Sequence, residues 1–321
     1  MRQTARRPAS GKHESRNKDG NRPNLYHEVT SRIIAELEEG RFPWVQPWGR
    51  AQAAIGLPLN ALTGRRYSGV NILILWGAVI EKGFPSQHWI TFKQALGAGG
   101  CVRKGERGTT VCYADRFIPK SEAERSAQDG DEPAAVPFLK RFTVFNIAQC
   151  DGLPDDLALD AEPLPQRQIV PHAERLIKAT GADFRIGGEQ AFYMPARDFI
   201  QVPPQPAFHE QINYYRTCFH ELGHWTGHAS RLARDLSGRF GSALYAREEL
   251  VAEMASAFIC ASLNIMPTVR HADYLATWLN VLRQDNRAIF RAASQASKAA
   301  DFILGLGEGA GTEAVQQEIA A

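Results

Sequence analysis

Cysteine is scarce in the 321-residue chain, and the five cysteines are spread along it without a CxxC pair. This excludes a disulfide framework and a cysteine-ligated zinc knot, and it favours a cytoplasmic location. The longest apolar run, Val70 to Ile80, is interrupted by Asn71 and is shorter than the roughly 20 residues that a bilayer span requires. The basic N-terminus leads into no apolar segment. We therefore expect neither a secretory signal nor a membrane partner.

A net charge of only +2 conceals two halves of opposite sign. Residues 1–150 contain 22 Lys and Arg against 14 Asp and Glu, whereas residues 151–321 contain 15 against 21. Such a division often pairs a polyanion-binding half with a half of another function, although surface charge can also drift without function. Composition and turn signals predict a disordered basic tail over 1–24, a first domain over 25–152, a linker over 153–170, a second domain over 171–305 and a frayed tail over 306–321.

Hydrophobic periodicity indicates helices and strands in both predicted domains. In the first, a helix starts at Leu25 and a buried helix covers Val70 to Ile80. In the second, short strands precede helices from Phe208 to about Thr226 and from Ala246 to about Leu263, and a third helix runs from Tyr274 to about Leu304. We therefore predict an α+β fold of two domains, the second with a small antiparallel sheet followed by helices.

The most specific motif is His220-Glu221-Leu222-Gly223-His224, which has the HExxH pattern. On a helix, its two histidines stand one turn apart on the same face, where they can ligate one metal ion. Glu221 lies between them and can take a proton from a water activated by that ion. The alternative is a pair of unrelated, solvent-exposed histidines. The pattern predicts His220 and His224 as metal ligands and Glu221 as the catalytic base.

A catalytic zinc usually has a third protein ligand. The HExxHxxGxxH arrangement fails because position 230 is Ser230, and His228 is poorly placed behind Gly227. The next helix offers Glu249 and Glu253, four residues apart on one face. We predict Glu249 as the ligand and Glu253 as the carboxylate that braces a histidine, and the reverse assignment stays open.

Two further expectations follow for this centre. Glu248 is expected to point away from it into solvent. Two imidazoles and one carboxylate leave a Zn²⁺ ion with net positive charge, and this suits hydrolysis of a peptide bond. Another divalent ion such as Mn²⁺ is an alternative cofactor, and the protein substrate is unknown.

Aromatic and cationic residues are interleaved in the basic first half. Proteins that bind single-stranded nucleic acid use such residues, because bases stack on aromatic rings and cationic side chains contact the phosphates. The alternative is that the tryptophans form a core and the basic turns are simply solvated. Composition leaves both interpretations open.

Several motifs resemble the ArdC antirestriction family in the same order, and the first block is shared with plasmid primases of the TraC type. They include Trp89-Ile90-Thr91-Phe92-Lys93-Gln94-Ala95, Val102-Arg103-Lys104-Gly105-Glu106, and in the second half the HExxH motif and Glu248-Glu249-Leu250-Val251-Ala252-Glu253. The resemblance covers residues 25–305. It implies a single-stranded-DNA-binding domain fused to a zincin-like metallopeptidase domain, carried by conjugative plasmids and mobile elements and protecting incoming DNA from host restriction.

The resemblance also implies which residues contact DNA. They are Trp44, Trp48, Asn60, Arg65, Tyr67, Asn71, Trp89, Arg103 and Lys104. Trp76 and Phe92 are expected in the core instead. Two alternative functions stay open: a DNA-binding shield whose metal site is structural or vestigial, and an accessory of conjugative DNA processing. The oligomeric state is left open as well.

Overall fold

The structure, a computed structural model, describes residues 24–45, 55–117, 136–154, 157, 166–265 and 274–319. The first domain packs helices against a four-stranded sheet of order β1-β2-β5-β4, in which β1 and β2 are parallel and the other pairs antiparallel. A separate two-stranded ladder joins β3 and β6. The elements are α1 (Leu25–Glu38), β1 (Leu59–Asn60), α2 (Val70–Lys82), β2 (His88–Ile90), α3 (Phe92–Gly97), β3 (Cys101–Val102), β4 (Thr109–Phe117), β5 (Val136–Asn146) and β6 (Cys150–Asp151).

Local sequence explains the helices of this domain. The side chain of Asn24 caps α1 by accepting a hydrogen bond from the Tyr26 N–H at 3.1 Å. One face of α1 is buried, and it consists mainly of aliphatic residues at helical spacing, whereas α2 is apolar on nearly every side and is buried along most of its length. The helix predicted from Leu25 and the helix predicted over Val70 to Ile80 are both confirmed.

The second domain contains a three-stranded sheet and long helices. Its sheet has the order β7-β9-β8, and because β7 and β9 are parallel the predicted antiparallel sheet is in fact mixed. Its elements are α4 (Gln166–Ala179), β7 (Asp183–Ile186), β8 (Phe192–Met194), β9 (Phe199–Val202), α5 (Gln211–Trp225), α6 (Ala243–Ser262), α7 (Leu275–Gln284) and α8 (Ala288–Ile319). Within the described ranges, no helix is both long and apolar enough to cross a membrane.

The C-terminal helices differ from the prediction. The single helix expected from Tyr274 to about Leu304 is two helices, separated at residues 285–287. Asp285 leaves the helical conformation, and its side chain accepts a hydrogen bond from the Arg287 N–H at 3.0 Å. The second helix, α8, continues to Ile319, so residues 306–319 are helical rather than frayed.

The two domains share one continuous hydrophobic core. The Trp44 ring of the first domain packs edge-on against Trp278 of α7, with their centroids 5.5 Å apart. The Thr30 hydroxyl donates a hydrogen bond to the Asn286 carbonyl at 2.7 Å, directly at the break between α7 and α8. The linker predicted over 153–170 lies largely outside the described residues, as does nearly all of the tail over 1–24. The halves that it was expected to separate are packed together.

Candidate metal centre and nucleic-acid surface

The HExxH motif lies in the second half of α5, where helical spacing places both imidazoles on the face toward α6. The two Nε2 atoms of His220 and His224 lie 3.2 Å apart. Glu249 of α6 reaches both rings, with Oε2 3.4 Å from the Nε2 of His220 and Oε1 3.5 Å from that of His224. The helices approach this closely because Gly223 faces Ala252: a Cβ on Gly223 would lie 3.0 Å from the Ala252 Cα.

The structure thus brings together His220, His224 and Glu249, whose ligand atoms all lie within 4.8 Å of one another. Both His220 and Glu249 are buried, and their donors converge on one point between the helices. Two imidazole nitrogens and one carboxylate oxygen are a donor set that Zn²⁺ and other divalent transition-metal ions accept. The residues present therefore fit a divalent metal.

Further carboxylates contact the other ring nitrogens. Glu253 Oε1 lies 3.8 Å from the Nδ1 of His220, and Glu248 Oε1 lies 3.3 Å from the Nδ1 of His224. The expectation that Glu248 points into solvent is wrong, because its side chain is largely buried between His224 and Arg234. Arg234 donates two hydrogen bonds to this carboxylate, from Nη2 at 2.7 Å and from Nε at 3.0 Å. A carboxylate on the second nitrogen of a ligating histidine fixes the orientation of the ring.

Arg234 also ties the loop after α5 back onto that helix. Its Nη2 donates to the Gly223 carbonyl at 2.6 Å and its Nη1 to the Thr226 hydroxyl at 2.8 Å. A Cβ at Gly227 would lie 3.0 Å from Nη2, so the glycine leaves the space that the guanidinium occupies. The sequence gives no sign of this contact, because Arg234 is only one of many arginines until the loop is folded.

The electrostatics of the cluster favour a cation. Burial would raise the pKa of Glu249, but its hydrogen bonds with His220 and His224 outweigh burial and hold the pKa below its ordinary range. Burial alone would lower the pKa of His224, yet the carboxylates of Glu248 and Glu249 raise it well above its usual value. The site is therefore built around ionised carboxylates that demand positive charge, which a proton or a metal ion can supply.

A cavity of about 340 Å³ opens onto this cluster. The Tyr245 phenol stands at its wall; burial, and then hydrogen bonds with Tyr274 and Glu249, raise its pKa, so the hydroxyl stays protonated. Tyr193 on β8 donates a hydrogen bond to Asp198 at 2.8 Å. The lining residues that carry polar chemistry are Tyr193, His220, Glu221, His224, Asp235, Tyr245, Glu248, Glu249 and Tyr274.

Two of the tryptophans predicted to stack on DNA bases lie in the core. Trp44 is 1% exposed and Trp89 is 0% exposed, so neither ring offers a face to a base. The expected contacts of these two residues are therefore corrected: Trp44 packs at the domain interface, and Trp89 packs against Phe84 with centroids 5.9 Å apart. Trp48 lies outside the described residues.

Two asparagines expected at the DNA surface are engaged in internal hydrogen bonds. Asn71 Nδ2 donates to the Cys112 carbonyl at 2.7 Å, and its Oδ1 accepts from the Cys112 N–H at 2.8 Å, which satisfies the outer edge of β4. Asn60 Oδ1 accepts from the Thr63 N–H at 3.1 Å, and its Nδ2 donates to Gln94 Oε1 at 3.1 Å. Both amides therefore have a role in supporting the fold, and their contact with DNA stays a prediction.

The remaining predicted DNA contacts are more accessible. Arg65 and Lys104 are exposed, and Tyr67 is half-buried. Arg103 is exposed but donates to Glu106 at 2.9 Å and to the Ala148 carbonyl at 2.6 Å. Phe92, which was expected in the core, is 52% exposed. Trp76 is buried as predicted.

Comparisons with known proteins show which family the chain belongs to. Residues 23–145 match the family described as the N-terminal domain of anti-restriction factor ArdC, and residues 171–295 match the family described as zincin-like metallopeptidase. The metal-free crystal structure of antirestriction ArdC protein from the R388 plasmid is 40% identical, with a TM-score of 0.75 over 89% of this chain and 98% of that chain. The Mn(II)-bound structure is 39% identical, with a TM-score of 0.73 over 88% and 98%. The chain belongs to the ArdC antirestriction family.

A further relative is the uncharacterized protein y4eC of Sinorhizobium fredii (strain NBRC 101917 / NGR234), 43% identical over 286 residues, which are 87% of this chain and 91% of that protein. A DNA primase TraC of Escherichia coli is 38% identical over 297 residues, 87% of this chain, but this chain spans only 27% of the primase. A second DNA primase TraC of the same species is 39% identical, again over 87% of this chain, and this chain spans only 20% of that primase.

These findings confirm the two-domain architecture, with an ArdC N-terminal domain and a zincin-like domain. The zincin-like domain and the Mn(II)-bound ArdC structure also agree with a divalent-metal site.

Proposed function

We propose that the chain is an antirestriction protein of a conjugative plasmid or mobile element that binds single-stranded DNA and hydrolyses a protein substrate at a divalent-metal centre. The first domain binds the DNA, and the second carries the peptidase. Together they protect incoming DNA from host restriction. The observation that carries the enzymatic part is Glu221, a buried carboxylate on the wall of the cavity beside both predicted histidine ligands.

His220, His224 and Glu249 are the residues that would hold the ion, with Glu253 and Glu248 behind the two imidazoles. A divalent ion at such a site polarises a carbonyl oxygen and lowers the pKa of a water. Glu221 takes a proton from the attacking water and returns it to the leaving amine. Tyr245 lines the same cavity and stays protonated, and we include it in the proposal as a hydrogen-bond donor to an oxygen that gains negative charge, provided that it exchanges its partners Tyr274 and Glu249 for substrate. A purely structural metal site needs no such base beside an open cavity.

The position of the sheet next to the cavity is an argument for a peptide as the substrate. Among the described strands, β8 is one of the two edge strands in the order β7-β9-β8, and its Phe192 and Tyr193 line the cavity wall. An extended peptide can add to such an edge by main-chain hydrogen bonds. The identity of the metal as Zn²⁺ rather than Mn²⁺ is part of this proposal, because two imidazoles and one carboxylate are common zinc ligands.

The charge of the first domain supports DNA binding. Between residues 55 and 117 the chain has eight Lys and Arg against three Asp and Glu. Two proteins named as DNA primases align with 87% of this chain. Cationic groups on a surface neutralise phosphates and release counterions, so we expect affinity for single strands to fall with salt.

Replacing Glu221 tests the enzymatic part. Glu221→Gln keeps the size of the side chain but removes the base, so we expect metal content equal to wild type and loss of protein hydrolysis. Glu189→Gln, an exposed carboxylate, is the matched control. Metal analysis of the purified proteins is combined with digestion of unfolded protein and with plasmid transfer into a restricting host. Full protection by the hydrolysis-deficient variant would instead support a DNA-binding shield.

A further inference from the structure

An apolar patch lies on the surface of the first domain. Phe92 and Leu96 of α3 and Leu62 after β1 are all exposed, although each is a large hydrophobic residue. The Phe92 ring stands 6.5 Å from the ring of Phe145 on β5, centroid to centroid. Neighbouring exposed apolar side chains on a soluble domain mark an interaction site more often than single ones do.

The patch is held rigidly from below. Thr91 caps α3, with its hydroxyl accepting from the Gln94 N–H at 3.2 Å and its own N–H donating to Gln94 Oε1 at 3.0 Å. The same Oε1 accepts from Asn60 Nδ2, and Asn60 in turn holds the turn that carries Leu62. The predicted contact residue Asn60 is thus part of the support. A surface ordered in this way loses little entropy when a ligand binds to it.

The segments that form or adjoin the patch carry exposed cationic residues. Lys93 follows Phe92 directly, Arg65 belongs to the turn held by Asn60, and both are exposed. The basic turn that carries Lys104 and Arg107 leads into Gly108, where a Cβ would lie 3.1 Å from the Phe145 ring. Neither residues 59–66 nor residues 91–97 contain an Asp or Glu. Glu106 is the one acidic residue of the basic turn, and it is paired with Arg103 at 2.9 Å, so these three segments together have a surplus of cations.

We propose that Phe92, with Phe145 beside it, is the platform on which a base of single-stranded DNA stacks, while Arg65, Lys93 and Lys104 follow the phosphates. The inference rests on the proposed single-strand binding of the first domain and assigns it a surface. An exposed ring accepts any unpaired base because every base has a π-face, whereas the bases of a duplex are stacked on one another. The platform therefore selects single strands with little sequence preference.

A second exposed pair of rings, Tyr113 and Phe142, provides the matched control. Their centroids are 6.1 Å apart in an edge-to-face arrangement, and Tyr113 is 56% exposed. The nearby Arg141 is in an ion pair with Glu28 at 2.8 Å, so its charge is already balanced. This pair matches Phe92 in exposure, but the cation beside it is balanced by an acidic partner.

The test is fluorescence anisotropy of dye-labelled oligothymidine titrated with the full chain. We expect Phe92→Ala to raise Kd by roughly 5- to 150-fold, as loss of one base–aromatic stack does, with Phe92→Tyr close to wild type and Tyr113→Ala unchanged. Because Phe92 is exposed, the variant should keep the wild-type melting temperature. In Phe92→Trp, bound oligothymidine should quench the new indole fluorescence relative to the same titration of wild type.

The outcomes separate two kinds of failure. If wild type binds oligothymidine and Phe92→Ala binds it equally well, the platform is overturned while DNA binding by the domain stands. If Tyr113→Ala loses affinity instead, the interface belongs to the other pair of rings. If wild type does not bind oligothymidine, or prefers duplex, the proposed single-strand binding itself fails.

Discussion

The two domains differ in how directly their sequences reveal a site. In the second, the residues predicted from motif spacing on α5 and from the following helix converge within 4.8 Å. In the first, Trp44 and Trp89 were expected to contact DNA and are buried, whereas Phe92 was expected in the core and is exposed. An i, i+4 pair on a helix has a single geometric consequence. An aromatic residue near an arginine in sequence has no such single consequence, because the same ring can pack in a core or lie on a surface.

The largest effect expected from this contrast is on stability. Trp44→Ala removes a ring that packs against Trp278 and Phe42 at the domain interface. We expect it to lower the free energy of unfolding by about 3–5 kcal/mol, measured by denaturant titration. The protein that remains folded should bind oligothymidine as wild type does. A loss of affinity without a loss of stability would return Trp44 to the DNA interface.

The next effect separates the two candidate carboxylate ligands. Glu249 contacts the Nε2 atoms of both histidines, whereas Glu253 approaches only the Nδ1 of His220. Glu249→Gln should weaken Mn²⁺ or Zn²⁺ binding by more than about 100-fold, above the range typical of residues behind the ligands. Competition with a metal-binding dye measures this. A larger loss in Glu253→Gln would establish the reverse assignment.

Glu248 should have a smaller effect on the same measurement. Glu248→Gln keeps an acceptor for Arg234 but removes the charge that faces the Nδ1 of His224. We expect metal affinity to fall by about 10- to 100-fold. Asp198→Asn is the control, since Asp198 is also paired with an arginine, Arg231, but touches neither histidine. Its positive φ of 49° is one that asparagine tolerates. Equal losses of metal affinity in Glu248→Gln and Asp198→Asn would mean that the effect reflects general destabilisation of the domain.

Local patterns predicted those parts of the fold that depend on local interactions. The aliphatic stripe of α1 and the apolar length of α2 needed no knowledge of distant residues. The break between α7 and α8 could not be predicted in this way, because residues 285–287 contain no glycine or proline. The break involves a distant contact instead, since the Asn286 carbonyl accepts a hydrogen bond from Thr30 of the other domain. The pairing of Glu248 with Arg234 likewise depends on a loop that folds back onto α5. Contacts between distant segments leave no periodic signal.

Two neighbouring cations in the basic turn should differ slightly in how much each contributes to the salt dependence of DNA binding, because only one of them has internal partners. Arg103 is tied to Glu106 and to the Ala148 carbonyl, whereas Lys104 beside it is exposed. Lys104→Gln should reduce the slope of log affinity against log salt by about 0.7 for single strands, because one phosphate contact is lost. Arg103→Gln should reduce it less, since Glu106 already balances much of that charge. Both slopes come from anisotropy titrations at several salt concentrations. Equal reductions would mean that Arg103 exchanges its internal partners for phosphate, and that the turn rearranges on DNA.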